Sequence, residues 1–197
     1  MKGLVLLILL FAFNLGHTQM LDSLSLDTMK GFTSIDQAKL NPDKVVKLVL
    51  TKKKLTEVPE DIRQFKNLQY LDLSRNKLKR LPSWIGELSS LQFLVLSHND
   101  IDTLTPHIGM LSNLKWFIMS RDPLDAIPDA FGDLTNLRYL DMWGDNIGYY
   151  PASLSKLTHL RFLDLRDMLI NQEEQSVLKS YLPNCDIEMS PACPCKN

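Results

Sequence analysis

The chain has 197 residues, 45% of them hydrophobic, which is enough for one domain with a sizeable core. Its 22 Lys and Arg nearly balance 23 Asp and Glu. That balance leaves no global field to attract nucleic acid or an anionic membrane, so any charge preference is local.

Residues 1–18 read as a signal peptide. Lys2 precedes the apolar run Leu4 to Leu15, followed by the polar stretch Gly16 to Gln19. A dozen apolar residues fit secretion, whereas a spanning helix needs roughly 20. The expected location is secreted or periplasmic, with cleavage near Thr18. Residues 19–44 are a leader and N-terminal cap. The leader reads as loop to about residue 33, and Ser34 with Gln37 suggests a capping box opening a short helix that Asn41-Pro42 stops.

From Val45 the chain repeats every 23 residues: 45–67, 68–90, 91–113, 114–136 and 137–159, with a partial sixth unit from Leu160 to Ile170. The second unit, LQYLDLSRNKLKRLPSWIGELSS, is the most regular, and its L-x-x-L-x-L-x-x-N-x-L spacing is that of a leucine-rich solenoid. Positions 1, 4, 6, 11, 14, 18 and 21 of each unit are expected to point inward. Of these 35 slots 34 are aliphatic or Phe, and the other is Tyr150; composition alone would fill about 16.

Around positions 3 to 7 the pattern alternates, as in Tyr70, Leu71, Asp72, Leu73 and Ser74, which predicts a short strand in every unit and a parallel sheet across the stack. Position 9 holds Asn76 and Asn99, whose amides can satisfy backbone groups as the chain leaves the strand. Asp122 and Asp145 occupy the same slot and can only accept when ionised. Pro59, Pro82, Pro128 and Pro151 stand at position 15, with Pro106 displaced by one, so each outer segment starts with a fixed φ. Short helical turns such as Ser83 to Leu88 then form the convex side, where Trp84 is expected to be exposed or half-packed. Residues 171–189 form a C-terminal cap: Asn171 and Glu174 start a helix, Pro183 stops it, and a last short strand runs through Ile187. Residues 190–197 are a tail carrying Cys193 and Cys195, one of which is expected to bridge to Cys185.

The second unit resembles the 23-residue leucine-rich repeats with an L-P-x-x-I-G-x-L outer segment, found in bacterial secreted and intracellular Ras-group-related proteins. The likeness covers residues 45–170 and extends to the two caps. It implies an α/β solenoid with a curved parallel sheet on the concave side, helical caps at both ends, and a concave face that binds other proteins. It implies no reaction.

The outward strand positions are the place to look for function. Position 3 reads Lys47, Tyr70, Phe93, Trp116, Tyr139, Phe162, a row of five aromatics. Cross-strand stacking accounts for such a row structurally. Position 5 departs from Asp at Val95 and Ile118, which predicts an apolar patch of Phe93, Val95, Trp116 and Ile118 edged by Trp143. Arg75, His98 and Arg121 at position 8 are expected to rim it, with Asp141, Asp164 and Asp167 acidic on the far side. The expected partner-binding residues are Tyr70, Phe93, Val95, Trp116, Ile118, Arg121, Tyr139 and Trp143. Lys52, Lys53 and Lys54 read as a solvated edge. His98, His107 and His159 sit at different repeat positions, and no nucleophile elbow, phosphate loop or metal-protease motif occurs. The expectation is therefore a non-enzymatic, protein-binding monomer with no cofactor and no metal. A sugar-binding aromatic row and a spacer without a ligand are the alternatives.

Overall fold

The computed structural model describes residues 25–192. The apolar N-terminal run, Cys193 and Cys195 lie outside these residues, and with them the expected signal peptide and tail bridge.

Seven strands form one open sheet, all parallel and in sequence order. They are β1 (Lys47–Val49), β2 (Tyr70–Asp72), β3 (Phe93–Val95), β4 (Trp116–Ile118), β5 (Tyr139–Asp141), β6 (Phe162–Leu165) and β7 (Asp186–Met189). The register follows the repeat: Tyr70 pairs Phe93, Phe93 pairs Trp116 and Trp116 pairs Tyr139. Each strand is short because only positions 3 to 5 run flat before the chain turns toward the outer segment.

That segment is a 3-10 turn in every full unit: Glu60–Gln64, Ser83–Glu87, Pro106–Met110, Asp129–Asp133 and Ala152–Lys156. Pro59, Pro82, Pro128 and Pro151 stand at the N-cap in extended conformation rather than inside the turn; only Pro106 is its first residue. Gly86 shows why the outer segment carries glycine, because a Cβ there would lie 2.6 Å from the His107 carbonyl of the next unit. Small residues let the turns stack closely.

The inward slots all contribute to one continuous core, and only Leu55 and Tyr150 are partly exposed. Trp84 also packs into it, at 9% exposure, so it is neither exposed nor half-packed. It lies within the turn Ser83–Glu87 and joins the core cluster from there, although the repeat pattern assigns its slot no inward role.

The N-terminal end differs from the sequence reading in detail. A helical turn over 25–28 buries Leu26, and Phe32 bridges to Leu48 in β1, so the leader covers the sheet's first edge. Ser34 stands at the N-cap of α1 (Ile35–Lys39) without a side-chain cap bond. At the other end Asn171 and Glu174 form the reciprocal capping box of α2 (Gln172–Tyr181). β7 then pairs with β6 and covers the last repeat edge.

A second ladder, unread in the sequence, runs along the unit boundaries. At position 23, Asn67 donates a 2.8 Å bond to the Asp43 carbonyl of the N-terminal cap, and Asn113 and Asn136 donate 2.8 Å bonds to the Ser89 and Ser112 carbonyls of the unit before. Ser90 Oγ donates to Lys66, and His159 Nδ1 donates to Thr135. The recurring Asn-Leu at the unit boundary was the available signal.

Candidate functional site: the open sheet face

The residues of position 3 form a continuous stack. Ring centroids are 5.5 Å apart for Tyr70–Phe93 and Phe93–Trp116, 4.8 Å for Trp116–Tyr139 and 5.1 Å for Tyr139–Phe162. Interplanar angles of 6° to 29° mean that the rings turn their faces to one another and their edges outward. The strand spacing alone imposes this, since parallel strands repeat every ~4.8 Å. Lys47 ends the row: its Nζ lies 4.2 Å from the Tyr70 ring centroid and donates to the carbonyls of Leu26 and Asp27. Burial lowers the Lys47 pKa.

The stack changes which expected residues are available. Phe93 and Tyr139 are buried by their neighbours, whereas Tyr70 and Trp116 are partly exposed. Burial pushes the hydroxyl pKa of Tyr70 and Tyr139 well above the usual tyrosine range. The partly exposed apolar surface is therefore Val95 and Ile118 at position 5 with Trp116 and Trp143 beside them. Arg121 lies over Trp143, 4.1 Å from the ring, so it roofs one side of the patch rather than standing apart as a rim charge. The most exposed large hydrophobic side chains among the described residues, Leu40, Met110, Tyr149 and Leu169, all lie off the strands.

Position 5 has a structural job that explains its usual Asp. Oδ1 of Asp72, Asp141 and Asp164 accepts the backbone N–H two residues on, from Ser74, Trp143 and Arg166. Where Ile118 replaces Asp, the N–H of Ser120 instead donates to Ser97 Oγ at 3.1 Å, and the two serine hydroxyls bond at 3.0 Å. The apolar substitution is thus compensated from the neighbouring strand. Asp164 is neutralised by Arg166, whose Nη2 lies 2.6 Å away and whose Nε reaches Glu188 at 3.0 Å. Asp141 makes no direct ion pair among the described residues; burial raises its pKa to about 6, partly offset by the charge of Arg166.

Position 8 carries an unexpected constraint. Lys52, Arg75, His98, Arg121 and Asp167 all have φ between 57° and 61°, and Gly144 takes the same slot at 70°. The backbone therefore turns left-handed at this slot in every unit, and a second time at Lys54 in the first. Gly144 was the clue. Burial, then the charges of Arg75 and Arg121, lower the His98 pKa.

Cys185 makes no disulfide among the described residues, and burial pushes its thiol pKa up to about 12. No group of three or more His, Cys, Asp or Glu among the described residues is arranged to hold a metal ion. No described helix is long and apolar enough to cross a membrane.

Comparison with known proteins agrees with this geometry. Residues 43–101 match the leucine rich repeat family model. An LRR protein of Leptospira interrogans has a similar structure, with a TM-score of 0.52 at 24% identity over 80% of this chain. The chain spans about half of that protein, 52% of its length. The crystal structure of a TDR receptor is similar at 28% identity and a TM-score of 0.56, over 68% of this chain and 24% of the receptor. No curated protein sequence matches. Such repeat domains bind protein partners and are typically non-enzymatic scaffolds. The repeat register, the seven-stranded parallel sheet and these likenesses identify the fold as a leucine-rich-repeat solenoid.

Proposed function

We propose that this protein is a secreted, non-catalytic binding module that engages a protein partner on its concave sheet face, centred on Trp116, Val95, Ile118 and Trp143. The observation that carries this reading is the replacement of Asp by Val95 and Ile118 at position 5, with the Ser97 hydroxyl accepting the Ser120 N–H that an Asp at position 118 would otherwise receive. An apolar patch with satisfied polar neighbours can be desolvated by a partner at little expense. The N-terminal signal-peptide layout supports secretion.

The stacking geometry also favours protein over sugar. A saccharide ring binds an aromatic face, and the inner faces of this row are already covered by neighbouring rings. Edges and aliphatic side chains suit a peptide surface better.

The test is capture from the native extracellular milieu. Phe93→Ala with Trp116→Ala is expected to abolish partner capture while leaving far-UV circular dichroism intact. Unchanged capture by the folded double variant overturns the site, and specific binding to a glycan array in place of a protein overturns the ligand class.

A further inference from the structure

Along position 5 the face presents a charge pattern as well as an apolar one. From β2 to β5 the column reads Asp72, Val95, Ile118, Asp141, in register on adjacent strands. The apolar pair is bracketed by two carboxylates.

These two acids differ from the third in the column. Asp164 is ion-paired with Arg166, whereas neither Asp72 nor Asp141 makes an ion pair among the described residues. Each receives one backbone N–H on Oδ1. Each therefore keeps a carboxylate oxygen for a guest. Burial raises the pKa of Asp141 even though the nearby Arg166 favours its charged form, and a cation supplied by a ligand would relieve the remaining penalty.

The spacing selects a ligand. Three strand steps separate Asp72 from Asp141, about 14 Å at the usual ~4.8 Å pitch. An extended peptide crossing the strands advances ~3.4 Å per residue, so side chains i and i+4 lie about 14 Å apart with i+2 midway, all on one face. Residues i and i+4 then meet the two acids while i+2 sits over Val95 and Ile118. We propose, building on the face assigned above, that the partner presents an extended Lys/Arg-x-Φ-x-Lys/Arg segment, where Φ is a large aliphatic residue, laid across β2 to β5.

The probe is a fluorescein-labelled peptide, Gly-Lys-Ser-Leu-Ser-Lys-Gly, titrated with the full protein by fluorescence polarisation. Its affinity is expected to fall at least roughly tenfold, a loss of about 1.4 kcal/mol, when both lysines become glutamate, when one residue is inserted before the second lysine, or in Asp72→Asn and Asp141→Asn. Asn keeps the Oδ1 acceptor for Ser74 and Trp143, so these variants remove charge while retaining the turn. Absence of binding, or binding indifferent to peptide charge, to spacing or to either substitution, overturns the proposal. Trp116→Ala separates the two levels. If this variant abolishes capture of the native partner while both Asp variants leave capture intact, the face stands and the cation-apolar-cation motif fails; if none of the three affects capture, the face assignment fails as well.

Discussion

The two halves of the solenoid solve the same problem with different chemistry. In the second and third units the buried position-9 side chain is Asn, and in the fourth and fifth it is Asp. Asn76 Oδ1 accepts from the N–H of Lys53 and Leu55 at 2.9 and 3.1 Å, and its amide nitrogen donates to the carbonyls of Leu50 and Leu73 at 2.9 and 2.7 Å. Asn99 likewise accepts from Leu78 and donates to Leu73 and Leu96. Asp122 matches only the accepting half, with Oδ1 taking Ile101 N–H and Oδ2 taking Asn99 N–H. Asp145 accepts from Asp122 through Oδ1, and its buried Oδ2 has no hydrogen-bond partner. A neutral amide satisfies both sides of the slot, while a carboxylate leaves carbonyls without donors unless it carries a proton.

The titration behaviour follows. Burial raises Asp122 to about 6 and Asp145 to about 8, against an ordinary value of 3.8. Asp122 shifts less because two N–H groups stabilise its charged form. When a carboxyl has a higher pKa in the fold than in the unfolded chain, folding takes up a proton. Its stabilising contribution is full below about pH 4 and is lost as pH rises through the folded value. The Asp half of the ladder is thus sensitive to pH between about 4 and 8, and the Asn half is not.

The comparison can be broken most severely on the Asn side. Asn99→Ala removes an acceptor and two donations from a buried site, and an expected destabilisation of about 3 kcal/mol should appear in urea unfolding at any pH from 5 to 8. Asp145→Asn sharpens the comparison in the opposite direction. Restoring the amide should raise stability at pH 8.5 by about 2 kcal/mol, change it little at pH 4, and flatten the decline across that interval. Asp122→Asn should give no such gain, because both oxygens of Asp122 receive N–H groups and the amide nitrogen cannot accept the one from Asn99. Identical pH profiles for wild type and Asp145→Asn would remove the protonation account.

The same contrast explains what was legible beforehand. Repeat length, inward slots, strand positions and the C-terminal capping box follow from periodicity and local chemistry, so Leu71, Leu94 and Phe117 could be placed in the core without coordinates. The left-handed turn at position 8 was hidden because Lys52, Arg75 and His98 carry no backbone signature, and only Gly144 marked it. Phe93 and Tyr139 looked as available as Trp116, yet neighbouring rings cover them. Alternation identifies the face on which a side chain lies; adjacent repeats decide whether it remains exposed. Trp84 and the leader residue Phe32 teach the same lesson at the convex side and the N-terminal edge, where contacts between units bury residues that no single unit encloses.

The central claim, that a partner is held on the sheet face, is tested most directly by a photo-crosslinking amino acid placed at Ile118 in one preparation and at the exposed convex residue Met110 in another. After exposure to the native milieu and irradiation, the account predicts a discrete protein adduct from position 118, competed by unlabelled wild type, and none from position 110. An adduct from position 110 alone would contradict it.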